Sequence, residues 1–138
     1  MRYFEALVSS LVLTACSSQP AIRGQSEPQP SNGAPLEFLL TAAAGDFHTH
    51  RPYPARFRDV RLGYVMALDG TRQYMLCGAF LPDREDGKHE WIPFVTIKTS
   101  GYEQWLGARA SDFCLGSSIV WVEGDLSSTL QSRFDSLR

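Results

Sequence analysis

Apolar and polar positions change rhythm several times along the chain, and each change marks an element. Residues 1–15 carry one short apolar run, Ala6 to Ala15, behind the cation of Arg2. That run is well short of the ~20 residues needed to cross a bilayer, so it reads as an export leader. Residues 16–35 have almost no apolar rhythm and several prolines, the pattern of a flexible tether. Then Leu36, Leu39, Leu40, Ala43 and Phe47 recur at helical spacing. Pro35 suits the first turn of that helix, and Gly45 with the Arg51-Pro52-Tyr53-Pro54 run is expected to end it.

From Val60 the period is two. Val60, Leu62, Tyr64, Met66 and Leu68 alternate with Arg61, Gly63, Val65 and Ala67, the pattern of a half-buried strand. Asp69-Gly70 predicts a two-residue hairpin turn, with Thr71 to Phe80 as the return strand. In that register Leu62 lies opposite Cys77 and Tyr64 opposite Met75, which puts Cys77 on the core side. A one-residue slip would expose it. Leu81 to Glu90 is a charged loop, and Trp91 to Lys98 a third strand, with Pro93 placing its start at an edge or bulge. Ser100-Gly101-Tyr102-Glu103 fits a helix capping box. Tyr102, Trp105, Leu106, Ala110 and Phe113 continue it as a helical stripe, with Cys114 in the last turn and Gly116 as the stop. Ser118 to Glu123 is a fourth strand, and Leu126, Leu130, Phe134 and Leu137 predict a short C-terminal helix.

These elements predict an α+β fold for residues 36–138. It has a small antiparallel sheet of about four strands, a helix before it, and one or two helices after or within it. Composition leaves this reading intact: the chain is 43% hydrophobic and 20% charged, with a net charge of −2. No strong field of either sign points to a nucleic-acid partner.

The end of the leader, Leu13-Thr14-Ala15-Cys16, resembles a bacterial lipobox. The resemblance implies cleavage before Cys16, a lipid on its thiol, and a membrane anchor through that lipid. Ser17 is not the aspartate that marks inner-membrane retention, so the expected address is the outer membrane, facing the periplasm. Lipidation of Cys16 leaves Cys77 and Cys114 as an even pair in an oxidising compartment, which predicts one disulfide. Two buried free thiols are the alternative.

Chemistry-bearing residues are few. His48-Thr49-His50 would present two imidazoles to one metal if the segment were extended, with Asp46 or His89 completing the set. At a helix end the same histidines would instead meet the last carbonyls. Arg51, Arg56, Arg58 and Arg61 form a basic run whose guanidinium forks suit phosphate or carboxylate oxygens. Their alternative role is pairing with the acidic loop. Trp91, Tyr102, Trp105 and Trp121 could stack sugar rings, although periodicity assigns most of them to the core. There is no nucleophile elbow and no phosphate-binding glycine loop. The expectation is a non-catalytic component without cofactor that binds an envelope protein or cell-wall partner. A metal-dependent enzyme using His48 and His50, or a peptidoglycan-binding module, is the alternative.

Pro54-Ala55-Arg56-Phe57-Arg58-Asp59-Val60, Cys77-Gly78 and Trp91-Ile92-Pro93-Phe94 together resemble a group of small exported proteins and lipoproteins of alphaproteobacterial type. The resemblance spans about Arg51 to Cys114. It implies one domain with a paired cysteine and implies no reaction. Ala79 to Glu90 departs from the group, which carries an asparagine-rich segment there.

Overall fold

The computed structural model describes residues 31–138. The expected leader, Cys16 and the tether as far as residue 30 lie outside the described residues. Helix α1 (Gly33–Thr49) leads into β1 (Pro54–Met66), β2 (Arg72–Pro82), β3 (Ile92–Lys98) and β4 (Tyr102–Leu106), then α2 (Ala108–Cys114), β5 (Val120–Trp121) and α3 (Ser127–Asp135). The five strands form one antiparallel sheet in the order β4-β3-β2-β1-β5. The fold is α+β with a Cys77–Cys114 disulfide, as expected, with one strand more. Among the described residues no helix is long and apolar enough to cross a membrane.

Helix α1 begins at Gly33, inside the stretch read as tether, and passes through Gly45 instead of stopping there. A glycine costs a helix interior only about 1 kcal/mol, and the buried face of Ala43, Ala44 and Phe47 spans the position. The helix ends at Thr49, and His50 is already extended ahead of Pro52. Leu39, Leu40, Ala43, Ala44 and Phe47 pack with Leu130 and Phe134 of α3 on one sheet face, against Phe57, Val60, Leu62, Tyr74, Leu76, Phe80 and Phe94. Phe47 sits edge-on to Phe57, Phe80 and Phe94 at centroid distances of 5.2, 4.9 and 5.1 Å. Such edge-to-face sets add to the area term in holding a core.

Three expectations are corrected. The β1–β2 turn is longer than two residues: the Ala67 amide donates to Thr71 O at 2.8 Å and the Gly70 amide to Ala67 O at 3.0 Å. Gly70 takes the left-handed conformation (φ 82°) that a three-residue hairpin loop needs. The register is therefore one residue off, with Arg61 opposite Cys77 and Leu62 opposite Leu76. Cys77 faces away from Leu62 yet is 5% exposed, because this second face has its own cover. There Met75, Cys77, Val95, Ile97 and Ala110 form a second cluster, and the Cys77–Cys114 bridge ties α2 down onto it.

The capping box does not start a helix. Tyr102 to Leu106 is β4, hydrogen-bonded to β3 with Val95 opposite Trp105 and Thr96 opposite Gln104. The Thr96 hydroxyl, on a fully buried residue, donates to Gln104 Oε1 at 2.8 Å. A helix over these residues would leave β3 an open edge and Thr96 unpartnered, so long-range pairing overrides the local capping pattern. The helix follows later, after Gly107 turns the chain at φ 71°. The predicted strand over Ser118 to Glu123 reduces to Val120–Trp121 on the outer edge of β1.

Candidate functional site

Strand β1 starts at Pro54, six positions before the alternation is visible, and it is bulged. The register jumps between Arg58, opposite Ala79, and Arg61, opposite Cys77. One extra residue is absorbed there, and Asp59 takes φ 54°, a conformation that aspartate tolerates better than most residues. Directly opposed residues share a face, so Arg56 (opposite Leu81), Arg58 and Arg61 all lie on the face away from α1 and α3. Strict alternation would have sent Arg61 to the other side.

On that face each of the three guanidinium groups meets an indole. Arg58 Cζ is 4.2 Å from the centroid of the Trp91 ring and Arg56 Cζ 5.9 Å from the same ring. Arg61 Cζ is 4.2 Å from the centroid of Trp121 on β5. A guanidinium stacked by its flat face keeps its N–H edge free for oxyanions, and the stack limits the rotamers lost on binding. Arg58 contacts Asp59 at 3.5 Å; among the described residues no ion pair joins any of the four arginines to the Asp83–Glu90 loop. The pairing role expected for that loop is therefore not what holds them. Arg51 lies apart, over Tyr53 at 5.4 Å, and does not join the face.

Of the four aromatics, most of which periodicity assigns to the core, none is fully buried, although Trp105 and Trp121 pack against the second cluster. Trp91, Trp105 and Trp121 are half-buried and Tyr102 is exposed. Trp105 carries Arg109 over its ring at 3.3 Å. Tyr102 is on the helix side, donating its hydroxyl to Asp46 Oδ1 at 2.9 Å. Burial first and that bond second hold its phenol above the ordinary value.

The histidines do not meet the geometric condition for chelation by an extended segment. His48 is in the last turn of α1 and His50 is its C-cap. The His50 ring stays local, with Nδ1 3.1 Å from the Asp46 carbonyl oxygen and 3.4 Å from Asp46 Oδ1. His48 turns to a hollow lined by Tyr53, Asp83, Phe134 and Arg138. Among the described residues no group of three or more histidine, cysteine, aspartate or glutamate side chains is placed to hold a metal ion.

Beside Arg61 the face ends in an open groove of about 540 Å³, lined by Asp59, Arg61, Trp121, Val122 and the Glu123-Gly124-Asp125 turn. Asp125 is committed to starting α3: the Ser127 hydroxyl and amide both donate to it, holding its carboxyl below the ordinary value. The Ser127 hydroxyl in turn accepts the Val60 amide at 3.0 Å, so the bulge and the groove wall are one hydrogen-bonded unit. The groove was missed from sequence; only the aspartate at the bulge hinted at it.

No protein-family model, curated protein or solved structure matches the chain.

Proposed function

We propose that this chain is a bacterial cell-envelope lipoprotein, held to the outer membrane through a lipid on Cys16. Its folded domain is a non-catalytic module that docks a carboxylate-bearing cell-wall polymer through Arg56, Arg58 and Arg61 with Trp91 and Trp121. The address comes from the leader and lipobox pattern. The observation that carries the binding role is the bulge at Asp59, which gathers three arginines on one face and seats each against an indole. Guanidinium edges suit carboxylates, and tryptophan margins suit the apolar faces of sugar rings.

Co-sedimentation of the domain with purified peptidoglycan sacculi tests this. The unsubstituted protein should pellet at low salt and be released as ionic strength rises. Replacing Arg56, Arg58 and Arg61 together by Gln should abolish pelleting while lowering the unfolding midpoint only modestly, because all three are exposed and each cation–π contact is worth about 0.5–1 kcal/mol. Pelleting undiminished in that variant removes the arginine face from the function.

A further inference from the structure

The groove at the end of the arginine face holds both signs of charge without neutralising them. Arg61 stands over Trp121, while Asp59, Glu123 and Asp125 line the same walls. Among the described residues no ion pair connects Arg61 to any of these carboxylates, and Glu123 makes no hydrogen bond or ion pair at all. Asp125 is occupied by Ser127 and Asp59 leans on Arg58, so Glu123 is the free acceptor. Arg61 and Glu123 line one groove without pairing, so each is open to a ligand. A ligand carrying an ammonium and a carboxylate can satisfy both.

We infer that this groove is a subsite for an amino-acid zwitterion borne on the polymer, with its carboxylate on Arg61, its ammonium on Glu123, and its apolar part against Trp121. The inference rests on the cell-wall reading above and names the unit that the face distinguishes. The space of about 540 Å³ lies within the range of pockets that hold small ligands, enough for a short peptide segment. A purely anionic polymer, such as one bearing only phosphates, would meet three carboxylates here and be repelled by them. The mixed lining therefore selects against simple polyanions as well as for zwitterions.

The test uses sacculi before and after acetylation of their free amines. Acetylation removes positive charge and leaves the carboxylates, so a surface that reads anions alone would bind the treated sacculi more tightly. The groove predicts the opposite sign: acetylation should weaken binding about tenfold or more, the loss of one charge-assisted hydrogen bond. Glu123→Gln should bind untreated sacculi as weakly as the unsubstituted chain binds acetylated ones, and should respond little to acetylation. Asp59→Asn, which keeps a residue tolerant of the bulge conformation, should show a smaller loss. Glu103→Gln, an exposed carboxylate on β4, serves as the control and should retain the full acetylation effect. Equal or tighter binding to acetylated sacculi overturns the zwitterion subsite and leaves the arginine face standing. So does an undiminished acetylation effect in Glu123→Gln. Failure to bind untreated sacculi overturns the cell-wall reading and the subsite together.

Discussion

A methyl group added at Gly78 would lie 2.8 Å from Val60 Cγ2 and 2.9 Å from Phe94 Cε1. Both neighbours are fully buried, so the strain has no flexible side-chain end to absorb it. Gly78→Ala is expected to destabilise the domain by about 1–3 kcal/mol, the usual cost of overpacking. Gly45 is the opposite case. It lies inside α1, one turn before its end, with nothing within 4 Å of an added Cβ, and Gly45→Ala should stabilise by about 0.5–1 kcal/mol. Urea unfolding of the two variants measures both; shifts of the same sign would contradict the packing difference. Cys77 and Cys114 close a loop with a sequence separation of 37, for which chain entropy gives about 4 kcal/mol as an upper guide. Each serine variant should lose a similar amount, and the double variant little more than either alone. This pair was legible from cysteine number and expected compartment. The face it occupies was not, because the identity of Asp69-Gly70 does not fix whether the hairpin loop holds two residues or three.

Elements were legible where periodicity was long and failed where a distant partner decided. Helix α1, the β1–β2 hairpin and β3 follow from spacing alone. Strand β4 does not: a plausible capping box, Ser100 to Glu103, overlaps its start, and only the bonding edge of β3 and buried Thr96 turn its residues into a strand. The arginine face needs the bulge, which shifts Arg61 by one and leaves no periodic trace. Helix α3 supports that bulge from outside. Ser127 and Gln131 accept the Val60 and Phe57 amides, at 3.0 and 3.2 Å, that two-residue β5 leaves unpaired. Phe134 anchors α3 at 2% exposure, so Phe134→Ala should cost about 3–5 kcal/mol, whereas Leu137→Ala at 43% exposure should fall within about 0.5 kcal/mol of the unsubstituted chain. Two carboxyls at element ends give the pH dependence. Asp69, bonded first by the Thr71 hydroxyl and then by its amide, and Asp125, bonded likewise by Ser127, both sit below their ordinary values. A carboxyl lowered on folding contributes stability that is complete above its unfolded value and is lost as pH falls through the folded one. Both are exposed, so the effect is a modest acid limb. Asp69→Asn combined with Asp125→Asn should flatten the decline in urea midpoint between neutral and acid pH, and an unchanged slope would discount both sets of bonds.

Across the whole domain, the first described residues and the arginine face lie on opposite sides of the sheet. Asn32, just before α1, accepts the Tyr74 hydroxyl at 2.8 Å, and Tyr74 is opposite Tyr64 near the β1–β2 turn. At ~3.3 Å per residue, the stretch of β1 from Tyr64 back to Arg58 covers about 20 Å. In the proposed reading, an anchor at Cys16 and a docking face at Arg56 to Arg61 act at the same time, one on lipid and one on the wall. Separable functions make a separable prediction. Cys16→Ser should move the protein out of the membrane fraction while the purified chain still pellets with sacculi at the same salt. Arg58→Gln with Arg61→Gln should do the reverse, staying with membranes and losing the wall. If the serine variant also loses sacculus binding in solution, where no membrane is present, the face alone is not the binding site. If it stays with membranes with its leader removed, the lipid is not the anchor.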